Sequence, residues 1–144
     1  MNVIKHEFHF MAETKKTYSS LISGEHIKNW WTTSAELEAK TGATGIFKWQ
    51  SHKWIVKIKL EKIIENVYIQ WRCIESNMQN TDAWVGTTMN FNLEPLGANT
   101  KLLFSHEGYR NSPCREICTD GWQFVLGTSL KKYLETGIGQ PYSS

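Results

Sequence analysis

Charge of one sign, cysteine and long apolar runs are all scarce in this chain, and each scarcity removes a class of function. Sixteen Lys and Arg against fourteen Asp and Glu leave a formal net charge of +2 over 144 residues. No basic cluster exceeds pairs such as Lys15-Lys16 and Lys131-Lys132, so an electrostatic footprint for nucleic acid is missing. No apolar stretch is longer than a few residues, where a membrane-spanning helix needs about 20. The three cysteines, Cys73, Cys114 and Cys118, make an odd set. The N-terminus MNVIKHEFHF alternates and carries charge, so it reads as a strand and not as an export segment. A reducing cytoplasm with three free thiols is the expectation. Cys114 and Cys118 are four apart, but a metal site needs further ligands nearby, so neither a metal nor another cofactor is expected. Catalytic strings are absent too: there is no nucleophile elbow, HExxH, glycine-rich phosphate loop or Ser-His-Asp order.

Tryptophan is what the chain has in excess, with seven residues, and the segments carrying them alternate. Val3 to Met11 reads as a first strand with Ile4, His6, Phe8 and Phe10 on one face. A short helix through Tyr18, Leu21 and Ile22 follows, then a second over Glu25 to Trp31. Thr32 to Gly42 is polar and aperiodic, a surface loop with room for helical turns. Five more strands are expected. Their inward sides are Gly45, Phe47 and Trp49; Trp54, Val56, Ile58 and Leu60; Val67, Ile69, Trp71 and Cys73; Val85, Thr87, Met89, Phe91 and Leu93; Thr100, Leu102, Phe104 and His106. Short connections favour antiparallel hairpins. A helix from Glu116 to Glu135 closes the chain. Pro113 and Glu116 suit its start, and Gly137 suits its stop. Its expected stripe is Cys118, Trp122, Val125, Leu126, Ser129, Leu130, Tyr133 and Leu134. The reading is one α+β domain over residues 1–144. A curved six-stranded antiparallel sheet wraps the C-terminal helix, with two short helices between strands one and two.

Several short strings fall in a familiar order. They are Tyr18-Ser19-Ser20-Leu21 and Trp30-Trp31, Glu94-Pro95-Leu96-Gly97, His106-Glu107-Gly108, Gly121-Trp122, and Leu130 through Gly137. In this the chain resembles the START-like (SRPBCC) helix-grip superfamily, and within it the AHSA-type domain named after activators of a heat-shock-protein ATPase. The resemblance implies a helix-grip fold and a cavity between sheet and helix. Superfamily members bind lipids, polyketides or other apolar compounds there, and a few catalyse cyclisation or dehydration. The cochaperones that name the family carry an additional N-terminal domain, and this chain begins at its first strand.

The expected function is binding of a small apolar or amphipathic ligand, lipid-like or polyketide-like, in that cavity. The candidate contacts are Trp30 from the second short helix and Phe47, Trp49, Trp54 and Trp71 on the middle strands. Thr87, Met89, Phe91, Phe104 and His106 join them from the last two strands, and Trp122, Leu126 and Ser129 from the helix. Because consecutive helical positions diverge, one of Trp30 and Trp31 is expected to cap the cavity and the other to pack outside or stay exposed. Thr87, His106 and Ser129 would orient the ligand. His106 reads either as a core histidine satisfied by a backbone carbonyl or Tyr109, or as the acid or base of a cyclase- or hydrolase-type enzyme. Contact with a chaperone is a third reading. A monomer or weak homodimer is expected.

Overall fold

Period-two segments pleat into one antiparallel sheet in a computed structural model that describes residues 3–108 and 115–142. The strands are β1 (Val3–Phe10), β2 (Ser34–Glu36), β3 (Thr44–Trp49), β4 (Trp54–Ile64), β5 (Tyr68–Ser76), β6 (Thr88–Leu96) and β7 (Asn99–Glu107). Their order across the sheet is β1-β7-β6-β5-β4-β3-β2. Successive strands from β2 to β7 are hairpin neighbours, and β1 closes the far side against β7, with Phe8 opposite Leu102. Two register shifts in β4, at Lys57/Ile58 and Leu60/Lys62, add the local twist that bends a sheet. Helices α1 (Thr14–Ile22) and α2 (Gly24–Ile27) fill the long excursion from β1 to β2.

The sheet has seven strands, not six. The additional one, β2, lies in the stretch expected to be loop. It is three residues long with Ala35 alone buried, too short for a period to register. It is seated by α2, whose Gly24 N–H donates to the Leu37 carbonyl at 3.0 Å. An alanine Cβ at Gly24 would stand 2.6 Å from the Leu37 backbone nitrogen. Gly24→Ala is therefore expected to cost about 1–3 kcal/mol, read as a lower urea midpoint. An unchanged midpoint would mean that α2 and β2 do not bear on each other.

Inward parity holds along most strands: Val56, Ile58 and Leu60, Ile69, Trp71 and Cys73, and Thr100, Leu102, Phe104 and His106 are all buried. Val67 and Val85 depart from it. Both lie in turns outside the strands and are exposed. Trp54 is half-buried and stacks on His52 at 4.4 Å.

The C-terminal helix runs through α3 (Arg115–Phe124), a π-helical stretch Val125–Leu130, and α4 (Lys131–Thr136). Gly137 ends it in the left-handed region at φ 89°, its N–H bonded to the Tyr133 carbonyl at 2.8 Å. Cys118, Trp122, Val125, Leu126, Ser129, Leu130 and Leu134 are buried against the sheet, while Tyr133 is half-buried with its hydroxyl 2.7 Å from His26 Nδ1. The capping signals at Pro113 and the Glu116 side chain, with Cys114 and Tyr109, lie outside the described residues.

The C-terminal helix is also tied to the edge strand β1. His6 Nε2 meets the Thr119 carbonyl at 3.1 Å, and Lys131 Nζ donates to the His9 carbonyl at 3.0 Å. Past Gly137 the tail folds back along the helix. Tyr142 exchanges two backbone hydrogen bonds with the chain ahead of β2, donating to the Trp31 carbonyl (2.8 Å) and accepting from Thr33 N–H (3.1 Å). No helix among the described residues is long and apolar enough to cross a membrane.

Candidate functional site

The space between sheet and helix is occupied by the chain's own rings. Phe47 touches Trp71 (5.8 Å between centroids), Trp71 touches Phe91 (4.8 Å), Phe91 touches Phe104 (5.1 Å), and Phe104 touches Trp122 (4.7 Å). Each such pair adds about 0.5–1.5 kcal/mol beyond its buried area. Trp31 stands at the centre, within 5.7 Å of Trp71, 5.2 Å of Trp49 and 5.4 Å of Trp122. Trp30 packs behind it, its N–H donated to the Ser20 carbonyl at 3.0 Å. Neither of the pair is exposed: they are 0% and 3% accessible and stack nearly parallel. The expectation that one would pack outside fails because α2 ends at Ile27. Residues 28–31 form turns, where helical divergence does not apply.

A pocket of about 260 Å³ lies beside this filled interior, at one end of the grip. Three parts of the chain meet there. The β3–β4 hairpin brings Trp49, His52 and Trp54, the 77–87 connection brings Met78, Gln79 and Trp84, and the C-terminal helix brings Ile117, Cys118, Gly121 and Trp122 from α3 and Val125 from the start of the π-helical stretch. Trp31 forms the inner wall, and the folded-back tail adds Tyr142.

The 77–87 connection is tied to the hairpin by Asn77, whose Oδ1 accepts from Ile55 N–H at 2.7 Å and whose Nδ2 donates to the Lys53 carbonyl at 3.0 Å. Gln79 and Asn80 both occupy the left-handed region, at φ 57° and 61°. That conformation costs a residue with a side chain about 1–3 kcal/mol. Trp54 N–H, donated to Asn80 Oδ1 at 3.2 Å, helps to hold the turn.

Of the residues expected from the sequence, Trp49, Trp54 and Trp122 line this pocket. Trp30, Phe47, Trp71, Met89, Phe91, Phe104 and Leu126 lie in the packed core. The expected orienting groups are engaged with the protein itself. Ser129 Oγ donates to the Trp30 carbonyl at 2.6 Å and accepts from Gln140 N–H at 2.9 Å. Thr87 Oγ1 donates to the Trp84 carbonyl at 2.6 Å.

His106 is fully buried, and its partners fix its tautomer. Trp122 Nε1–H donates to His106 Nδ1 at 3.0 Å. An indole nitrogen only donates, so Nδ1 is bare and the ring proton sits on Nε2. That nitrogen faces Thr87 Oγ1 at 2.8 Å and donates to it. Burial pulls the imidazole pKa down to about 3, so the ring is neutral near pH 7. Its hydrogen bonds among the described residues include those to Thr87 and Trp122, while Tyr109, the other partner the sequence suggested, lies outside the described residues. His106 does not line the pocket. Its place is in the wall's support.

Trp84 completes that support. Its ring stacks on Trp122 at 5.6 Å and meets His106 edge-on at 4.8 Å, and its N–H donates to Cys118 Sγ at 3.4 Å. The sequence reading passed over Trp84, which sits in an aperiodic connection. The available signal was an unexplained large aromatic among polar loop residues. Cys73 and Cys118 are buried, and burial pushes the Cys73 thiol up to about 12. No group of three or more His, Cys, Asp or Glu among the described residues is placed to hold a metal.

The fold is shared with solved structures. The chain resembles the protein described as the Aha1 dimer from Colwellia psychrerythraea, solved in solution, at 28% identity and TM-score 0.79, over 96% of this chain and all of that one. A Staphylococcus saprophyticus protein matches at 17% identity and TM-score 0.74, over 96% and 95% of the two chains. A putative protein of the dynemicin biosynthetic locus, DynU16, matches at 16% and 0.76 over 96% of this chain, which spans 49% of it. No curated protein matches the chain. The model of one family, described as activator of Hsp90 ATPase homolog 1-like protein, matches residues 12–135, and the chain belongs to that family.

Proposed function

We propose that this protein binds a small apolar molecule in the pocket at the end of the grip. One observation carries the reading: five tryptophans, Trp31, Trp49, Trp54, Trp84 and Trp122, converge on an unfilled space of about 260 Å³. Further along the sheet–helix interface, Phe47, Trp71, Phe91 and Phe104 pack against one another. Apolar area removed from water there yields about 25 cal/mol per Å². The volume falls just below the range of about 300–1,000 Å³ usual for drug-sized ligands, so sterols and long acyl chains are poor fits. Native mass spectrometry of gently purified protein is the test. A co-purified small molecule, or a one-to-one complex after adding a panel of small apolar compounds, is expected. Failure of every compound to bind would defeat the proposal.

A second reading is contact with a chaperone. It is favoured by the family and by exposed Ile64, Val67 and Leu96 at the opposite end of the sheet. It predicts that the protein stimulates an Hsp90-type ATPase and that Leu96→Glu weakens the stimulation. No stimulation by the unmodified chain would end this reading.

A further inference from the structure

The composition of the pocket wall points beyond an apolar ligand in general to one chemical class. Among the described residues, no side chain lining it is an Asp, Glu, Lys or Arg. A charged group drawn against that wall would lose hydration without gaining a counter-charge. The indole N–H groups of the outer and rear walls are already committed: Trp54 to Asn80, Trp84 to Cys118, and Trp122 to His106. These three rings therefore offer a ligand their π-faces and carbon edges, the surfaces that stack on other aromatic rings.

Two lining indoles differ. No hydrogen bond of Trp31 or Trp49 Nε1–H to the protein is seen among the described residues, and neither nitrogen is among the fully buried unpaired polar atoms, so each keeps access to the pocket space. An acceptor atom brought in by a ligand would give one of these N–H groups a partner inside a largely apolar wall, where a hydrogen bond is stronger than in water.

We propose that the pocket selects an uncharged, planar compound of about two fused aromatic rings bearing a hydrogen-bond acceptor such as a carbonyl oxygen. The rings lie against Trp84, Trp122 and Trp54, and the acceptor takes the N–H of Trp31 or Trp49. This inference rests on the apolar-ligand reading and narrows it. Aliphatic chains fill the same volume but forgo ring stacking, and carboxylates of fatty acids find no Lys or Arg among the described residues of the wall.

The test uses the full chain, labelled with ¹⁵N, titrated separately with coumarin, naphthalene, 2-decanone and dodecanoate. Coumarin has both rings and acceptor, and each of the others lacks at least one required feature. Coumarin is expected to bind on the order of tenfold tighter than 2-decanone, and about threefold to tenfold tighter than naphthalene. The indole N–H resonance of Trp31 or Trp49 should move with coumarin, while that of Trp30, bonded to Ser20 on the far side, stays in place. Equal or tighter binding of 2-decanone or dodecanoate overturns the inference and leaves the apolar-ligand reading standing. So does equal binding of coumarin and naphthalene with both N–H resonances unmoved. If none of the four binds, both proposals fall.

Discussion

Trp122→Ala is expected to lower the melting temperature by about 10–20 °C. Trp122 is 2% exposed and touches Trp31, Trp84, Phe104 and His106. Removing a ring so enclosed leaves a cavity costing about 3–5 kcal/mol. In a domain of this size each kcal/mol corresponds to a few degrees. The substitution also leaves His106 Nδ1 facing no donor from the helix. Far-UV circular dichroism during heating checks the value. A fall of only a degree or two would mean that the helix is held by its other contacts and that Trp122 serves the pocket alone.

The second large effect is a pH dependence that belongs to His106. Its folded pKa is near 3, against an ordinary value of 6.5. Between those two values the unfolded chain binds more protons than the folded one, so stability rises with pH across the window. The contribution is fully present above about pH 6.5 and is lost as the pH falls toward 3. Its slope is at most about 1.4 kcal/mol per pH unit. His106→Phe removes this dependence and strands Trp122 N–H, at a cost of about 1–3 kcal/mol near neutral pH. Urea denaturation of both proteins at pH 7.5, 5.5 and 4.5 should show the gap in stability shrinking with acidity. A gap that is constant with pH would contradict the buried neutral imidazole.

Much of the fold was legible because antiparallel strands alternate strictly. Once Trp71 was placed inward, Ile69 and Cys73 followed, and hairpin spacing supplied most neighbours. The helix stripe was legible for the same reason at another period, and it persists through the mid-helix π-helical stretch, with Leu134 still buried beyond it. β2 was not legible, since three residues carry no period. Trp31 was misjudged because helical geometry was carried past Ile27, where the helix has stopped.

The candidate site was legible only in part, and the reason is physical. Parity separates inward from outward, but both a filled core and a pocket wall are inward. Phe91 and Trp49 have the same parity. One is enclosed by Trp71 and Phe104, and the other borders open space. That difference depends on sheet curvature and on rotamers. Trp84 and Tyr142 reach the pocket through an aperiodic connection and a reversed tail, neither of which has a pattern to extrapolate.

Gly121 offers the most direct test of the pocket as the ligand site. It lines the pocket, and a Cβ built on it meets no atom within 4 Å. Replacing a helical glycine with a good helix former contributes about 0.8–1 kcal/mol of stability. Gly121→Leu therefore fills the site with apolar side chain without disturbing its walls. Titration of the variant and the unmodified protein with coumarin and naphthalene, alongside thermal melting, is the measurement. The account predicts that affinity for both compounds falls by at least about tenfold, since a blocked site forfeits the buried apolar contact, while the melting temperature holds or rises. Undiminished binding in Gly121→Leu would place the ligand elsewhere and contradict the account.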